Sequence, residues 1–202
     1  MTTKYHPSLV NDAMKELSTV CIERCMSALV LLNGDLKIQN RVGYVYGKID
    51  YLSKRPNHAD EKVIGVLLML SGDIHGMILL IFHQHFIEKK LRLTMGRQCD
   101  YNNLKEEELT CIEETASIIS SVYLETLSTY IPASIKIHMP ATVFDMKGAI
   151  LNDALGYMQE ESQMLYMEHH YWLDDDPTEE NQILFMVDQK SAHLILKALG
   201  VL

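Results

Sequence analysis

Residues 111–128 read CIEETASIISSVYLETLS, and residues 13–29 read AMKELSTVCIERCMSAL. On a helical wheel of roughly 100° per residue, the first of these sorts cleanly into two faces. Leu109, Ile112, Ala116, Ile119, Tyr123 and Leu127 fall in one sector, and Thr110, Glu114, Ser117 and Ser121 fall opposite. The second stretch sorts the same way. Met14, Leu17, Cys21, Cys25, Leu29 and Leu32 make its apolar stripe, and Asp12, Glu16, Thr19 and Glu23 its outward strip. Two long amphipathic helices are expected, over about Ser8–Leu32 and Leu104–Tyr130, ended by Gly34 and Pro132.

The elements downstream of each helix also repeat. After the first come strand-like runs near Leu36–Tyr46, Lys62–Leu70 and Met77–Phe82, a loop over 53–60, and a helix over His85–Met95 stopped by Gly96. Gly72-Asp73 predicts a tight hairpin between two of the strands. After the second helix come strands near Ser134–Met139, Gln163–Leu173 and Gln182–Val187, and a helix over Ser191–Leu199 before Gly200. Lys147–Met158 reads as a short helix. A shift of 98 residues brings Glu16 onto Glu114 and Leu29 onto Leu127; a shift of 104 brings Leu80 onto Leu184 and Gly96 onto Gly200. This order implies an internal duplication, with repeats over about 8–96 and 104–202 sharing one sheet in a single domain.

Composition narrows the function. The chain has 202 residues, 48% hydrophobic and 22% charged, which suits a folded domain with a sizeable core. A net charge of −9 is the wrong sign for neutralising nucleic-acid phosphates. The longest apolar run, Met77–Phe82, is far too short to span a bilayer, and the polar first residues lack an export core, so a cytoplasmic protein is expected. Cys21 and Cys25 share a helix face and read as core thiols rather than zinc ligands, with no nearby His or Cys to complete a site. His83 and His85, on one face if the segment is a strand, and His169-His170 lack an evident third ligand. Asp174-Asp175-Asp176 lacks the spacing of a calcium loop and reads as an exposed turn.

The two outward strips carry the functional signal. Taken alone, each is what any solvated helix face looks like. Each nonetheless holds an acid followed three residues later by a hydroxyl, at equivalent places in the two repeats. The pattern resembles the signature of the CheC family of bacterial chemotaxis proteins: Asp or Ser, three residues, Glu, two residues, Asn, once per half. Here it reads Asp12, Glu16, Thr19 and Thr110, Glu114, Ser117, so both asparagines are replaced. The resemblance extends along the chain through GVLLMLSGDIHGMILLIF (65–82), MPATVFDMKGAILNDAL (139–155) and ILFMVDQKSAHLILKALG (183–200).

The resemblance implies an α/β domain of the α+β type with a pseudo-two-fold, a mostly antiparallel central sheet, and both signature helices on one face. It implies a CheY-type response regulator as partner, whose aspartyl phosphate the family hydrolyses. A CheD-like deamidase is a further partner of some members. In the family the Glu is taken to anchor on the regulator's lysine while the Asn amide orients water. Glu16 and Glu114 can fill the first role, and Thr19 and Ser117 stand in the second, with Asp12, Glu23, Thr110 and Ser121 as flanking contacts. No cofactor of its own is implied, since magnesium belongs to the receiver. Three classes stay open: a phosphatase of full or reduced activity, a binding module that has lost catalysis, and a structural subunit acting through a sheet edge. The partner's identity and the oligomeric state stay open too.

Overall fold

The computed structural model describes residues 7–34, 37–47, 59–158, 164–174 and 179–202. Helix α1 spans Pro7–Asn33 and leads into strands β1 (Ile38–Gly47), β2 (Lys62–Gly72) and β3 (Gly76–Phe82) and helix α2 (Gln84–Met95). The second half begins with α3 (Glu106–Tyr130) and continues through β4 (Ile135–Ile137), β5 (Ala141–Met146), α4 (Lys147–Gly156), β6 (Met164–Leu173), β7 (Asn181–Val187) and α5 (Gln189–Ala198). The expected loop over 53–60 lies, except for 59 and 60, outside the described residues.

Local chemistry fixes the helix ends. Glu106, Glu107 and Glu108 place negative charge on the first turn of α3, where the helix dipole favours it. The backbone N–H of Lys105 donates to Glu108 Oε2 at 2.8 Å. Asp188 caps α5, its Oδ1 accepting from the Ser191 N–H at 2.7 Å. Gly96, closing α2, takes the left-handed conformation that costs glycine no steric penalty.

All seven described strands form one antiparallel sheet in the order β1-β6-β7-β3-β2-β4, with β5 also paired to β2. Exchanging the strands of the first half with those of the second returns the same order read from the opposite edge. At its centre Leu79 pairs with Leu184 and Leu80 with Ile183, so the 104-residue shift swaps one pair for the other.

Side-chain alternation along the strands makes two apolar layers. One face carries Ile64, Val66, Leu68, Ile78, Leu80, Met167, Ile183 and Phe185, and packs beneath α1, α2, α3 and α5. The other carries Val63, Met77, Leu79, Ile81, Tyr166, Leu184 and Met186 and is covered by α4. The expected α/β class, antiparallel sheet and shared face for the long helices are all found. No helix of the described residues is long and apolar enough to cross a membrane.

Two sequence expectations need correcting. The β2–β3 hairpin is found, but β2 runs through Gly72 and β3 starts at Gly76, so the connection is residues 73–75 rather than a two-residue turn at Gly72-Asp73. Those two residues instead dock on the start of the β4 segment. The Asp73 N–H donates to the Ser134 carbonyl at 2.8 Å, and the Ser134 N–H donates to Asp73 Oδ2 at 2.8 Å. Strand β5 was not expected. Pro140 lies between β4 and β5, and both segments pair with β2 along one sheet edge.

Candidate functional site

Each long helix turns its apolar stripe toward the sheet. Met14, Leu17, Cys21, Cys25 and Leu29 of α1 are buried, as are Ile112, Ala116, Ile119, Tyr123 and Leu127 of α3. Burial pushes the Cys21 thiol up to about 12, and Cys25 upward as well, which fits core side chains rather than reactive thiolates. Leu32 departs from the expected stripe: it is 41% exposed.

The helices pack against each other and run antiparallel. Cys25 Sγ lies 3.6 Å from the Ile119 carbonyl oxygen. Val20, Arg24, Ser27 and Leu31 share one groove with Val122, Glu125, Thr129 and Tyr130, while Leu32 at the end of α1 shares another with Cys111, Glu114 and Ile118 near the start of α3.

The outward strips lie where the wheel puts them. Asp12, Glu16 and Glu23 on α1 are exposed and Thr19 is half-buried; Thr110, Glu114 and Ser121 on α3 are exposed and Ser117 is half-buried. All eight are therefore on the solvent side of adjacent helices. The two copies are not brought together. With Ile119 level with Cys25, Glu114 lies level with Val30, roughly 20 Å along the helix from Glu16 at 1.5 Å per residue.

Hydrogen bonding qualifies the hydroxyls. Thr19 Oγ1 donates to the Lys15 carbonyl at 2.8 Å, and Thr110 Oγ1 donates to the Glu106 carbonyl at 3.0 Å, the i−4 back-bond typical of helical threonine. A hydroxyl has a single proton, so in this rotamer Thr19 offers a water only its lone pairs.

Around Glu114 the structure joins Thr110 and Ser117 of the outward strip with residues that the helical wheel does not single out. Glu114 and Ile118, one turn apart, form a ridge between two shallow concavities. One is lined by Leu32, Lys90, Leu93 and Thr115, the other by Thr110, Glu113, Ser117 and Pro140. Glu113 Oε1 accepts from Thr142 Oγ1 at 2.7 Å, tying this end of α3 to β5. An isoleucine at position 118, inside an otherwise polar arc, is the one sequence signal of this ridge.

The histidines take other roles. His83 is buried at the start of α2, its Nδ1 3.1 Å from Glu61 Oε1, and His85 lies in the first helical turn rather than on a strand, so the two do not share a strand face. His169 and His170 point to opposite faces of β6. His169 Nε2 meets the Tyr123 hydroxyl at 3.0 Å in the helix-side core. His170 sits between Glu168 Oε1 and Glu180 Oε2, each at 2.9 Å. Burial lowers His169 to about 3, with the His170 charge acting in the same direction. Among the described residues no three His, Cys, Asp or Glu side chains are arranged to hold a metal ion. Asp174 pairs with Lys89, and Asp175 and Asp176 lie outside the described residues.

No family model matches the chain. Solved structures do match along nearly its full length. FliY from Thermotoga maritima superposes with a TM-score of 0.70 at 13% identity, covering 99% of this chain and 98% of that one. A FliG–FliM complex from H. pylori matches with a TM-score of 0.63 at 10% identity, over 93% and 97%. The CheX–CheY–BeF3–Mg2+ complex from Borrelia burgdorferi matches with a TM-score of 0.55 at 13% identity, over 85% and 97%. The chain thus has the α/β fold found in FliY, CheX and FliM. At these identities the likeness defines a fold.

Proposed function

We propose that this chain is a CheC-like chemotaxis protein that docks the receiver domain of a CheY-type response regulator on the outward faces of α1 and α3. The observation that carries the reading is that Glu16 and Glu114 stand exposed at equivalent positions on two adjacent helices. A protein of the same fold, CheX, has been solved with CheY carrying BeF3 and Mg2+, which supports a partner of that kind.

The chemistry asked of such a site is modest. Hydrolysis of an aspartyl phosphate transfers the phosphoryl group to water: a P–O bond to water oxygen forms, the bond to the carboxylate breaks, and the carboxylate leaves. The receiver's own magnesium carries the phosphoryl charge. The helper contributes positioning of the water in line. A glutamate facing a receiver lysine gives a charge-assisted anchor. Thr19 and Ser117 are shorter than asparagine and lack its paired donor and acceptor. A shortfall of about 1 Å costs on the order of a hundredfold in a positioning mechanism.

The reading is therefore binding with reduced or lost hydrolysis. The Thr19 back-bond favours that over full activity. The test is decay of phosphorylated receiver with and without the protein, beside co-elution of the receiver loaded with BeF3− and Mg2+. Co-elution with little acceleration is expected. Absence of any complex with the receiver domains of the same genome would contradict the reading.

A further inference from the structure

Helix α2 begins at a corner where three other segments meet. His83, its N-cap residue, is 2% exposed and gives the helix no side-chain cap. The first turn is held from outside instead. The His83 N–H donates to Asn181 Oδ1 at 2.9 Å, and the His85 N–H donates to Glu179 Oε2 at 2.8 Å. The His83 ring reaches the other way, with Nδ1 3.1 Å from Glu61 Oε1. Glu61 in turn seats the start of α4. Its carbonyl accepts from the Lys147 N–H at 2.8 Å, and the Ala59 carbonyl accepts from the Gly148 N–H at 2.8 Å. The ring thus bridges the starts of α2 and α4.

Facing a carboxylate, Nδ1 carries the proton of the neutral ring and Nε2 is a lone pair. Nε2 is buried and has no hydrogen-bond partner among the described residues. A second proton would make it a charged donor with no acceptor, which burial penalises far more than an idle lone pair. Among the described residues, Glu61 ahead of β2 and Glu179 ahead of β7 favour the charged ring, and Lys147 on α4, itself 7% exposed, opposes it. Burial is the largest effect and lowers the pKa. We propose that His83 is an acid-sensitive latch: taking up a proton drives its ring from this corner and frees the first turns of α2 and α4 together. Phe86 and Ile87 on one side of the sheet and Ile150 on the other keep the rest of each helix seated, so the opening is local. Once released, the ring titrates as an ordinary histidine, so opening grows as pH falls below about 6.5.

The experiment is residue-resolved hydrogen exchange of the full chain by NMR, one pH unit above and one below about 6.5, corrected for the intrinsic pH dependence of exchange. The amides of His83, His85, Lys147 and Gly148 should open severalfold more at the lower pH, up to the factor of about ten that one unit allows. They should also exchange faster than the amides of Ile119 to Leu127 in α3, which report global unfolding. His83→Gln keeps a neutral hydrogen-bonding side chain and should remove the increase at these four amides. Lys147→Met takes away the opposing cation and should reduce the increase, which keeps the test open if the glutamine chain does not fold. No increase in the wild-type chain, an equal increase in His83→Gln, or four amides that open only as fast as those of α3 would overturn the inference.

Discussion

The Thr19 hydroxyl donates to the Lys15 carbonyl at 2.8 Å, one turn back along α1. If α1 docks a receiver as proposed, the side chain at the position of the family's asparagine has its proton engaged on its own helix. Restoring the amide at both copies tests whether this is what limits hydrolysis. Thr19→Asn with Ser117→Asn should accelerate decay of phosphorylated receiver by roughly tenfold to a hundredfold over the parent chain. A rate equal to the parent's, with receiver binding intact, would show that these positions do not face the phosphoryl group.

Stability should fall with acid in a window set by His169. The residue is fully buried, and burial holds its folded-state pKa at about 3, against about 6.5 when unfolded. Between those values the unfolded chain binds more protons than the folded one, so stability rises with pH and is lost as pH falls below about 6.5. The slope is about 1.4 kcal/mol per pH unit for one such group. His83, also lowered by burial, adds in the same direction. Denaturant titrations at pH 7 and pH 5 should show the loss, and His169→Gln should flatten part of it. An equal slope in that variant would assign the acid sensitivity to other groups.

The turn at Gly72 should tolerate no side chain. Its φ of +107° suits glycine, and a Cβ there would come within 2.4 Å of the Ser134 carbonyl oxygen, the acceptor of the Asp73 N–H. Gly72→Ala is expected to destabilise the fold by more than about 1 kcal/mol, read as a lower Tm. Gly34, also at positive φ but with open space around it, should respond less to the same change.

His170, on β6, ties three strands at the α4 side of the sheet. Its ring meets Glu168 on β6, Glu180 just before β7 and Gln182 on β7, and Glu180 in turn accepts from Arg41 on β1 at 2.9 Å. Replacing His170 by Ala removes these ring contacts and should cost about 1–3 kcal/mol. Thermal melts of His170→Ala and Arg41→Ala separate the two, since Arg41 is exposed and its pair should contribute less than about 1 kcal/mol.

The fold is readable wherever periodicity is strong. The stripe from Ile112 to Leu127 and the run from Met77 to Phe82 declare a helix face and a doubly covered strand without ambiguity. Strand β5 is not readable, because nearly all its side chains are exposed and Pro140 interrupts the pattern, leaving no alternation to detect. Leu32 continues the α1 stripe and so reads as core, yet it faces a groove left open between α2 and α3. The acidic strips are legible from the repeat itself. Their surroundings are not: the rotamer of Thr19 and the company of Leu93 and Pro140 around Glu114 depend on how distant segments pack.

Receiver docking requires the solvent side of α1 and α3 to be a protein-binding surface rather than plain solvated helix. Affinity of a BeF3−-loaded receiver domain for the wild-type chain and for the Glu16→Lys/Glu114→Lys double variant tests this most directly. Reversing both charges leaves the buried stripe untouched, so the variant should fold and lose at least tenfold in affinity. Equal affinity for the two chains would contradict the assignment.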